Sequence, residues 1–285
     1  MKILSWNIAG LRGAIKKKSL DFILSSVYDV VCFQETKTLE KEFKIPKELD
    51  NIYPYRFWGE NLGITQRKGL SGTSIWCKKK PIQIGSPDFD TEGRITAVEF
   101  KKLIIVTVYT PNSQSPDSDR CMYRTKIWDQ KFREFIINLN KIKPTIICGD
   151  FNVAHKNIDV YNPTKFKNEC AGFLDIEINN FNKLLGEKYI DIWRNLNPNK
   201  KDFTYWDQIR SHMRKNNKGW RIDYFLIPNN IIQSIKDCMI LKEHLGSDHA
   251  PMVLILKPPV NKKIKLIIKD KIEIFFTYKS FLRME

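Results

Sequence analysis

Short apolar runs of strand length recur along the chain, separated by stretches in which apolar residues follow helical spacing. The runs are rich in Val, Ile and aromatic residues and are bounded by Gly, Pro, Asn or Asp, which is typical of β-strands. They are KILSWN from Lys2, DVVCFQE from Asp29, TSIWCK from Thr73, ITAVEF from Ile95, LIIVTVYT from Leu103, TIICGD from Thr145, RIDYFLI from Arg221 and PMVLILK from Pro251. Each run predicts one strand.

Three stretches between these runs predict helices that bury one face in a core. The first follows Ser19, a candidate N-cap, and carries Leu20, Ile23, Leu24 and Val27. The second carries Ile127, Trp128, Phe132, Phe135, Ile136 and Leu139, and the third carries Ile178, Phe181, Leu184 and Leu185 and ends at Gly186. Strands mixed with helices indicate an α/β architecture in which helices cover sheets.

Composition supports one large folded domain. The chain has 285 residues, of which 42% are hydrophobic and 12% aromatic, enough for a sizeable core, so we exclude a disordered or fibrous protein. The compact domain is expected to span residues 1–257. A basic tail follows at 258–285, beginning with Pro258-Pro259. For that tail a hairpin, a helix and a basic arm all stay open.

The net charge of +16 favours a polyanionic partner, with nucleic acid ahead of an anionic membrane. The alternative is a Lys-rich composition that only maintains solubility. No uncharged apolar run approaches the roughly 18 residues of a membrane span, so no membrane partner is expected. The cysteines are scattered without a C-x-x-C pair, and the N-terminus lacks the apolar segment of a signal peptide. We therefore expect an intracellular protein in a reducing compartment, with the nucleus and the cytoplasm both open.

Polar and acidic side chains recur where the predicted strands meet loops. They are Asn7, Glu35, Tyr109 with Asn112, Asp150 with Asn152, Asp223, and Asp248 with His249. Strand ends are where α/β proteins assemble sites from several chain segments. Each residue alone has a structural alternative as a turn residue or helix cap. Asp223 is the hardest to explain in that way, because a carboxylate inside a strand needs a partner.

The polar and acidic side chains at these strand ends restrict which reactions the site could catalyse. The sequence has no G-x-x-x-x-G-K-[ST], G-x-G-x-x-G or G-x-S-x-G motif, which argues against ATP, NAD and serine-hydrolase sites. Carboxylate and carbonyl oxygens suit Mg²⁺, which usually takes one or two protein carboxylates and keeps several waters. Mg²⁺ chemistry on phosphate, in a strongly basic chain, predicts phosphodiester hydrolysis.

The motifs around these residues resemble the exonuclease III family, the class II apurinic/apyrimidinic (AP) endonucleases. They are SWNIAGLR from Ser5, QETK from Gln34, EGR from Glu92, YTPN from Tyr109, CGDFNVAH from Cys148, NKGWRIDYF from Asn217 and GSDHAP from Gly246. The resemblance covers residues 1–257 approximately. It implies a four-layered α/β sandwich, with two mostly antiparallel sheets packed face to face and helices on the outside.

The resemblance also implies residue roles. Glu35 resembles the main metal-binding carboxylate, with Asn7 and Asp248 near the metal, which is Mg²⁺ with Mn²⁺ as an alternative. Many family members carry Asp or Asn where this chain has Ala9, so we expect one metal and not two.

The remaining strand-end residues resemble the groups that handle phosphate and protons. Asp150 resembles the residue that orients or deprotonates the attacking water, or protonates the leaving oxygen. His249 resembles an imidazole that contacts the phosphate or acts as base, oriented by Asp223; whether Asp150 or His249 is the base stays open. The residues that would hold the scissile phosphate are Tyr109, Asn112 and Asn152.

The implied reaction is hydrolysis of the phosphodiester 5′ to an abasic site in duplex DNA, leaving a 3′-hydroxyl and a 5′-deoxyribose phosphate. Removal of 3′-blocking groups and of 3′ nucleotides is expected at the same site, in a monomeric protein. An apolar pocket for the flipped-out sugar would be built from Tyr205, Trp206, Trp220 and Ile222. The residues expected to contact the DNA backbone are Arg12, Lys17, Arg94, Arg214 and Lys218, with Arg210 nearby. The alternatives are another phosphodiesterase of the superfamily, acting on RNA or phospholipid, and an inactive DNA-binding homologue.

Overall fold

Two six-stranded β-sheets form the centre of the molecule in a computed structural model. The structure describes residues 1–25, 27–60, 70–207 and 212–258. Arg210 and residues 259–285 of the predicted tail lie outside the described residues.

The first sheet has the strand order β11-β12-β1-β2-β4-β3. Its strands are β1 (Lys2–Asn7), β2 (Val30–Gln34), β3 (Tyr55–Gly59), β4 (Thr73–Cys77), β11 (Ile235–Ile240) and β12 (Met252–Leu256). The two central strands, β1 and β2, pair in parallel, whereas their neighbours pair antiparallel.

The second sheet has the order β5-β6-β7-β8-β10-β9. Its strands are β5 (Ile82–Ile84), β6 (Ile95–Glu99), β7 (Ile104–Tyr109), β8 (Thr145–Asp150), β9 (Tyr189–Asp191) and β10 (Asp223–Pro228). Again the two central strands, β7 and β8, pair in parallel and the others antiparallel. Both sheets therefore present the carboxyl ends of a parallel pair at their middle.

Helices cover the outer faces. The α-helices are α1 (Leu11–Lys16), α2 (Lys47–Ile52), α3 (Asp119–Tyr123), α4 (Asp129–Ile142), α5 (Pro163–Phe166), α6 (Asp175–Gly186), α7 (Ile192–Leu196) and α8 (His212–Lys215). A π-helical turn, Arg124–Trp128, joins α3 to α4, and 3₁₀ turns lie at Asp21–Ser25, Glu40–Glu42, Asn157–Asp159 and Asn229–Ser234. In the described part of the chain, no helix is long and apolar enough to span a bilayer.

Three apolar layers confirm the predicted four-layered sandwich. The central layer packs one sheet on the other, for example Cys32 and Ile75 with Ile105 and Cys148. A second layer packs α4 and α6 on the outer face of the second sheet, and a third packs α1, α2 and the Asp21–Ser25 turn on the first sheet. All six cysteines are free thiols.

Every predicted strand is present, and within the described residues the strands that the sequence pattern missed are the four edge strands. These are β3, β5, β9 and β11. Edge strands are partly exposed, so polar residues interrupt their apolar runs, as Arg56 does in β3 and Lys236 does in β11.

The predicted helices at α4 and α6 are confirmed. The helix after Ser19 is wrong in kind, because the segment forms a short 3₁₀ turn over Asp21–Ser25 and leaves Val27 46% exposed. Leu20 and Ile23 are buried there, so the apolar positions were correct although the helix type was not.

Candidate active site

The central parallel pairs of the two sheets end at the same place. Asn7 is in register with Gln34 at the end of the first pair, and Tyr109 with Asp150 at the end of the second. Gly149, with φ of +136°, has the conformation that favours glycine, and a Cβ there would collide with the carbonyl oxygen of Val108. A glycine directly before Asp150 therefore lets β8 lie close against β7 where the site is built.

Asn7 joins carboxylates from both sheets. Its Nδ2 donates to Glu35 Oε1 at 3.1 Å and to Asp150 Oδ2 at 3.0 Å, while its Oδ1 accepts the amide of Ala9 at 3.1 Å. The side-chain oxygen of Asn7, which was predicted to lie near a metal, thus already accepts one backbone hydrogen bond. In this structure Asn7 serves to hold two carboxylates together.

Asp150 faces a buried histidine–aspartate pair. Its Oδ2 lies 3.7 Å from Nε2 of His249, whose Nδ1 lies 2.8 Å from Oδ2 of Asp223. Strand β10 begins at Asp223, opposite Asp150 in register, so Asp223 stands at a strand end and not inside a strand as the sequence suggested. Trp6 Nε1 donates to the carbonyl of His249 at 3.0 Å and fixes the backbone there.

Burial and the neighbouring charged groups shift the pKa values of both His249 and Asp150. Burial alone would lower the pKa of His249, but Asp223 and Asp150 outweigh it and raise that pKa to about 10. Burial raises the pKa of Asp150 to about 7, against the opposing effect of His249. His249 is therefore the charged imidazolium at neutral pH, and Asp150 can exchange a proton there.

Two asparagines stand beside Asp150. Asn152 receives the side-chain amide of Asn112 at 3.1 Å and donates its own to the carbonyl of Thr110 at 2.8 Å. The Asn152 backbone donates to Asp150 Oδ1 at 2.8 Å, closing a tight turn.

A buried ion pair missed by the sequence supports this loop. Arg124 donates to the carbonyl of Asn152 at 2.8 Å and to Glu177 Oε1 at 2.8 Å. Both side chains are fully buried, yet each comes from a helix where a charged residue is ordinarily on the surface. The sequence held no signal that distinguished them from surface charges.

Tyr109 stands between Glu35 and a buried arginine. Burial, with Glu35 adding to it, raises the pKa of the Tyr109 hydroxyl well above its ordinary value. Arg94 lies 4.5 Å from the centroid of the Tyr109 ring and donates to the Tyr109 carbonyl at 3.1 Å. Arg94 is 4% exposed and pairs with Glu92, so its predicted contact with a DNA backbone is wrong and it supports Tyr109 instead.

Of the three residues predicted to lie at a metal, the two carboxylates make up the acidic corner of the cavity. Glu35 and Asp248 both line it, and Lys37 places its Nζ 2.5 Å from Glu35 Oε2. Burial would raise the pKa of Glu35, but Lys37 and the Asn7 amide lower it, so Glu35 is ionised. A carboxylate that already attracts an ammonium group suits a hard cation, and Ala9 adds no further oxygen donor from its side chain. Glu35 and Asp248 therefore fit the divalent cation that the resemblance implies.

A cavity of about 440 Å³ contains these groups. Three of the four predicted pocket residues line it: Tyr205, Trp220 and Ile222. Trp206 does not; it is 2% exposed and packs under the Arg214 guanidinium at 4.6 Å, so its placement in the pocket is wrong. Successive side chains of an extended segment point to opposite faces, so Trp206 points away from the cavity that its neighbour Tyr205 lines. The cavity also holds Tyr161 and Phe166, which the sequence analysis did not single out.

The predicted basic contacts divide into two groups. Arg12, Lys17 and Lys218 are exposed, as a phosphate contact requires, and Arg12 also donates to the carbonyl of Glu42 at 3.0 Å. Arg214 instead donates to three backbone carbonyls, those of Ser247 at 2.9 Å, Lys242 at 2.7 Å and His244 at 2.6 Å. These donors hold the loop before Asp248.

The chain matches known proteins along most of its length. Residues 4–249 match the Endonuclease/Exonuclease/phosphatase family. The chain is 38% identical over 263 residues to a DNA repair nuclease, APEX1, of Danio rerio, covering 90% of this chain and 82% of that protein. It is 36% identical over 261 residues to an exodeoxyribonuclease of Bacillus subtilis, covering 90% of this chain and 99% of that protein.

Solved structures agree. An AP endonuclease from Leishmania major superposes with a TM-score of 0.77 at 26% identity, covering 90% of this chain and 88% of that one. An AP endonuclease from Archaeoglobus fulgidus gives a TM-score of 0.80 over 90% of this chain and 100% of that one, and at 22% identity it supports the fold alone. Together with the strand-end site, these matches show that the chain belongs to the endonuclease/exonuclease/phosphatase family and, within it, to the exonuclease III group, and that it is a phosphodiester hydrolase.

Proposed function

We propose that this protein is a Mg²⁺-dependent AP endonuclease of base excision repair. It hydrolyses the phosphodiester 5′ to an abasic site in duplex DNA and leaves a 3′-hydroxyl and a 5′-deoxyribose phosphate. The same site removes 3′-blocking groups and 3′ nucleotides, and the protein acts as a monomer. The observation that carries the proposal is the position of Asp150, which shares Asn7 with Glu35 and faces the His249–Asp223 pair at one end of the cavity.

Asp150 is the group that supports proton transfer from the attacking water. Its pKa of about 7 lies near physiological pH, where a general base is most effective. His249, with a pKa of about 10, keeps its proton and suits stabilisation of the negative charge on the phosphate. The structure therefore favours Asp150 over His249 as the base, an alternative that the sequence left open.

The phosphate would be held by Asn112, Asn152 and Tyr109, which line the same cavity. A divalent cation, Mg²⁺ or Mn²⁺, held by Glu35 and Asp248 would act as a Lewis acid on a phosphoryl oxygen. Exposed Arg12, Lys17 and Lys218 would contact the DNA backbone without recognising sequence.

The proposal is tested on a duplex oligonucleotide carrying one stable tetrahydrofuran abasic analogue, with Mg²⁺ and with EDTA. An undamaged duplex of the same sequence and the Asp150→Asn variant are the controls. Incision directly 5′ to the analogue that requires Mg²⁺ and is lost in the variant supports the proposal. Tight binding without incision would favour an inactive DNA-binding homologue, and neither binding nor incision would favour an RNA or phospholipid phosphodiesterase.

A further inference from the structure

Three aromatic side chains form a wall of the active-site cavity. Tyr161 and Phe166 line the cavity together with Trp220. The Tyr161 and Phe166 rings have centroids 5.1 Å apart at 60°, and the Phe166 and Trp220 rings 5.3 Å apart at 44°. All three side chains are half-buried, so part of each ring remains open to the cavity.

The aromatic wall provides a stacking surface that an abasic sugar cannot use. A deoxyribose without its base has no planar π face and would gain only burial from aromatic rings. A nucleobase gains stacking on such rings, whichever of the four bases it is. A cavity of about 440 Å³ also lies within the range of sites that enclose small organic ligands, roughly 300–1,000 Å³.

A positive charge beside the aromatic wall suits the binding of a nucleotide. Lys165 is exposed on α5, with its ammonium 5.7 Å from the centroid of the Phe166 ring. An aromatic face with a neighbouring cation is the combination by which proteins hold single-stranded nucleic acid. The neighbouring Lys167, by contrast, forms an ion pair with Asp175 at 2.6 Å.

Backbone and side-chain hydrogen bonds hold the segment that carries the wall in place. The amide of Tyr161 donates to the carbonyl of Gly219 at 3.1 Å, next to Trp220, and Asn162 caps α5 by accepting the amide of Lys165 at 3.3 Å. Asn168 and Asp175 exchange two hydrogen bonds of 2.7 Å just after the helix. The rings are therefore pre-positioned before a ligand arrives.

We propose that Tyr161, Phe166 and Trp220 form a stacking platform for the nucleobase of a 3′-terminal nucleotide, and that Phe166 sets how well the enzyme removes base-bearing ends relative to abasic sites. The inference rests on the proposed function. The bond chemistry is the same for both substrates: a water oxygen bonds to phosphorus, the P–O3′ bond breaks and the departing 3′-oxygen takes a proton. The products of the base-bearing end are a 5′-mononucleotide and a strand shortened by one residue with a 3′-hydroxyl.

The test compares two substrates in Mg²⁺: the duplex with a tetrahydrofuran analogue and a duplex with a recessed, undamaged 3′ end. Phe166→Leu keeps apolar volume but removes the π face, Phe166→Trp keeps a π face, and Thr164→Ala alters an exposed position of the same helix. We expect Phe166→Leu to lower the ratio of kcat/KM for the terminal nucleotide to kcat/KM for the analogue by about 10-fold, equivalent to about 1.4 kcal/mol. Phe166→Trp should restore the ratio, and Thr164→Ala should leave it as in the wild type.

A second measurement observes the base directly. A duplex with 2-aminopurine at its recessed 3′ end is bound to Asp150→Asn protein, and stacking should quench its fluorescence; adding Phe166→Leu should relieve the quenching. An unchanged ratio with unchanged quenching overturns the platform. Failure of the wild-type protein to incise the analogue would instead overturn the proposed function, so the two failures are distinguishable.

Discussion

Asn7 donates one side-chain amide to two carboxylates, Asp150 of the opposite sheet at 3.0 Å and Glu35 of its own at 3.1 Å. Because each residue stands at the end of a central strand, or one residue beyond it, this bridge fixes the two sheets relative to one another at the site. The shared donor therefore restrains the two carboxylates relative to each other.

The bridge predicts a large effect of Asn7→Ala. Without the shared donor, Asp150 and Glu35 lose their common position, and a displacement of about 1 Å at a reacting group costs about 10²-fold in rate. We expect kcat on the abasic-analogue duplex to fall by about that factor. Ser5→Ala is the matched control, because Ser5 lies on the same strand and accepts a buried hydrogen bond from Gln34 away from the site. A fall within threefold for Asn7→Ala, or an equal fall for Ser5→Ala, would contradict the role given to Asn7.

The contact between Lys37 and Glu35 predicts how the acidic corner responds to added cations. The Lys37 Nζ lies 2.5 Å from Glu35 Oε2, so it repels a second cation from the same carboxylate. Lys37→Ala should lower the Mg²⁺ concentration for half-maximal activity by about 5- to 10-fold, whereas Lys41→Ala, an exposed lysine nearby, should not. Calorimetric titration with Mn²⁺ should give one site in both proteins, since Ala9 supplies no side-chain ligand. Two sites of comparable affinity would refute the one-metal expectation.

Substitutions of Arg214 and Lys218 are predicted to have different effects, one on kcat and the other on the salt dependence of DNA affinity. Arg214 is committed to the loop before Asp248, so Arg214→Met should lower kcat by about 10-fold and leave the salt dependence of DNA affinity unchanged. Lys218 is exposed, so Lys218→Met should reduce the log–log slope of affinity against salt by ~0.9 and leave kcat at saturation intact. The measurement is fluorescence anisotropy of the labelled duplex over a series of salt concentrations. A reduced slope for Arg214→Met would return that residue to the DNA contacts.

A buried ion-pair network beneath Trp220 predicts acid sensitivity. Arg221 is 0% exposed and donates to Asp159 at 2.8 and 3.0 Å and to Asp191 at 2.6 Å. Burial would raise the pKa of Asp159, but Arg221 and Arg194 outweigh it and lower that pKa below its usual value. Asp159→Asn leaves Arg221 partly uncompensated and should reduce the free energy of unfolding at pH 7 by about 3–5 kcal/mol.

The sign of the pH dependence follows from that lowered pKa. The stabilisation by Asp159 is fully present above its unfolded-state pKa of about 3.9 and is lost as the pH falls through the lower folded-state pKa. The difference between wild type and Asp159→Asn in urea unfolding should therefore shrink below about pH 4. Asp175→Asn, which alters an exposed ion pair with Lys167, should change unfolding little at any pH. A difference that stays constant down to pH 2 would contradict the assignment.

The sequence by itself determined the strands of the sheet interiors and the residues at their ends. Interior strands are buried on both faces, so they appear as continuous apolar runs, and Asn7, Asp150 and Tyr109 stand out because each closes such a run. Edge strands such as β3 and β9 carry no such signal, since half of their surface is free to be polar.

Only the tertiary structure decided which charged and aromatic side chains reach the site. Arg94 and Arg214 look the same in sequence as Lys17 and Lys218, yet the first two are engaged with internal carboxylate or carbonyl groups. Trp206 was expected in the cavity and is buried outside its lining, whereas Phe166, for which the sequence predicted no role, lines it. The direction in which a side chain points depends on local turns that composition does not specify. Hydrophobic burial is encoded in patterns along the chain, whereas the partner of a buried charge lies in a distant segment and is known only once the sheets have packed.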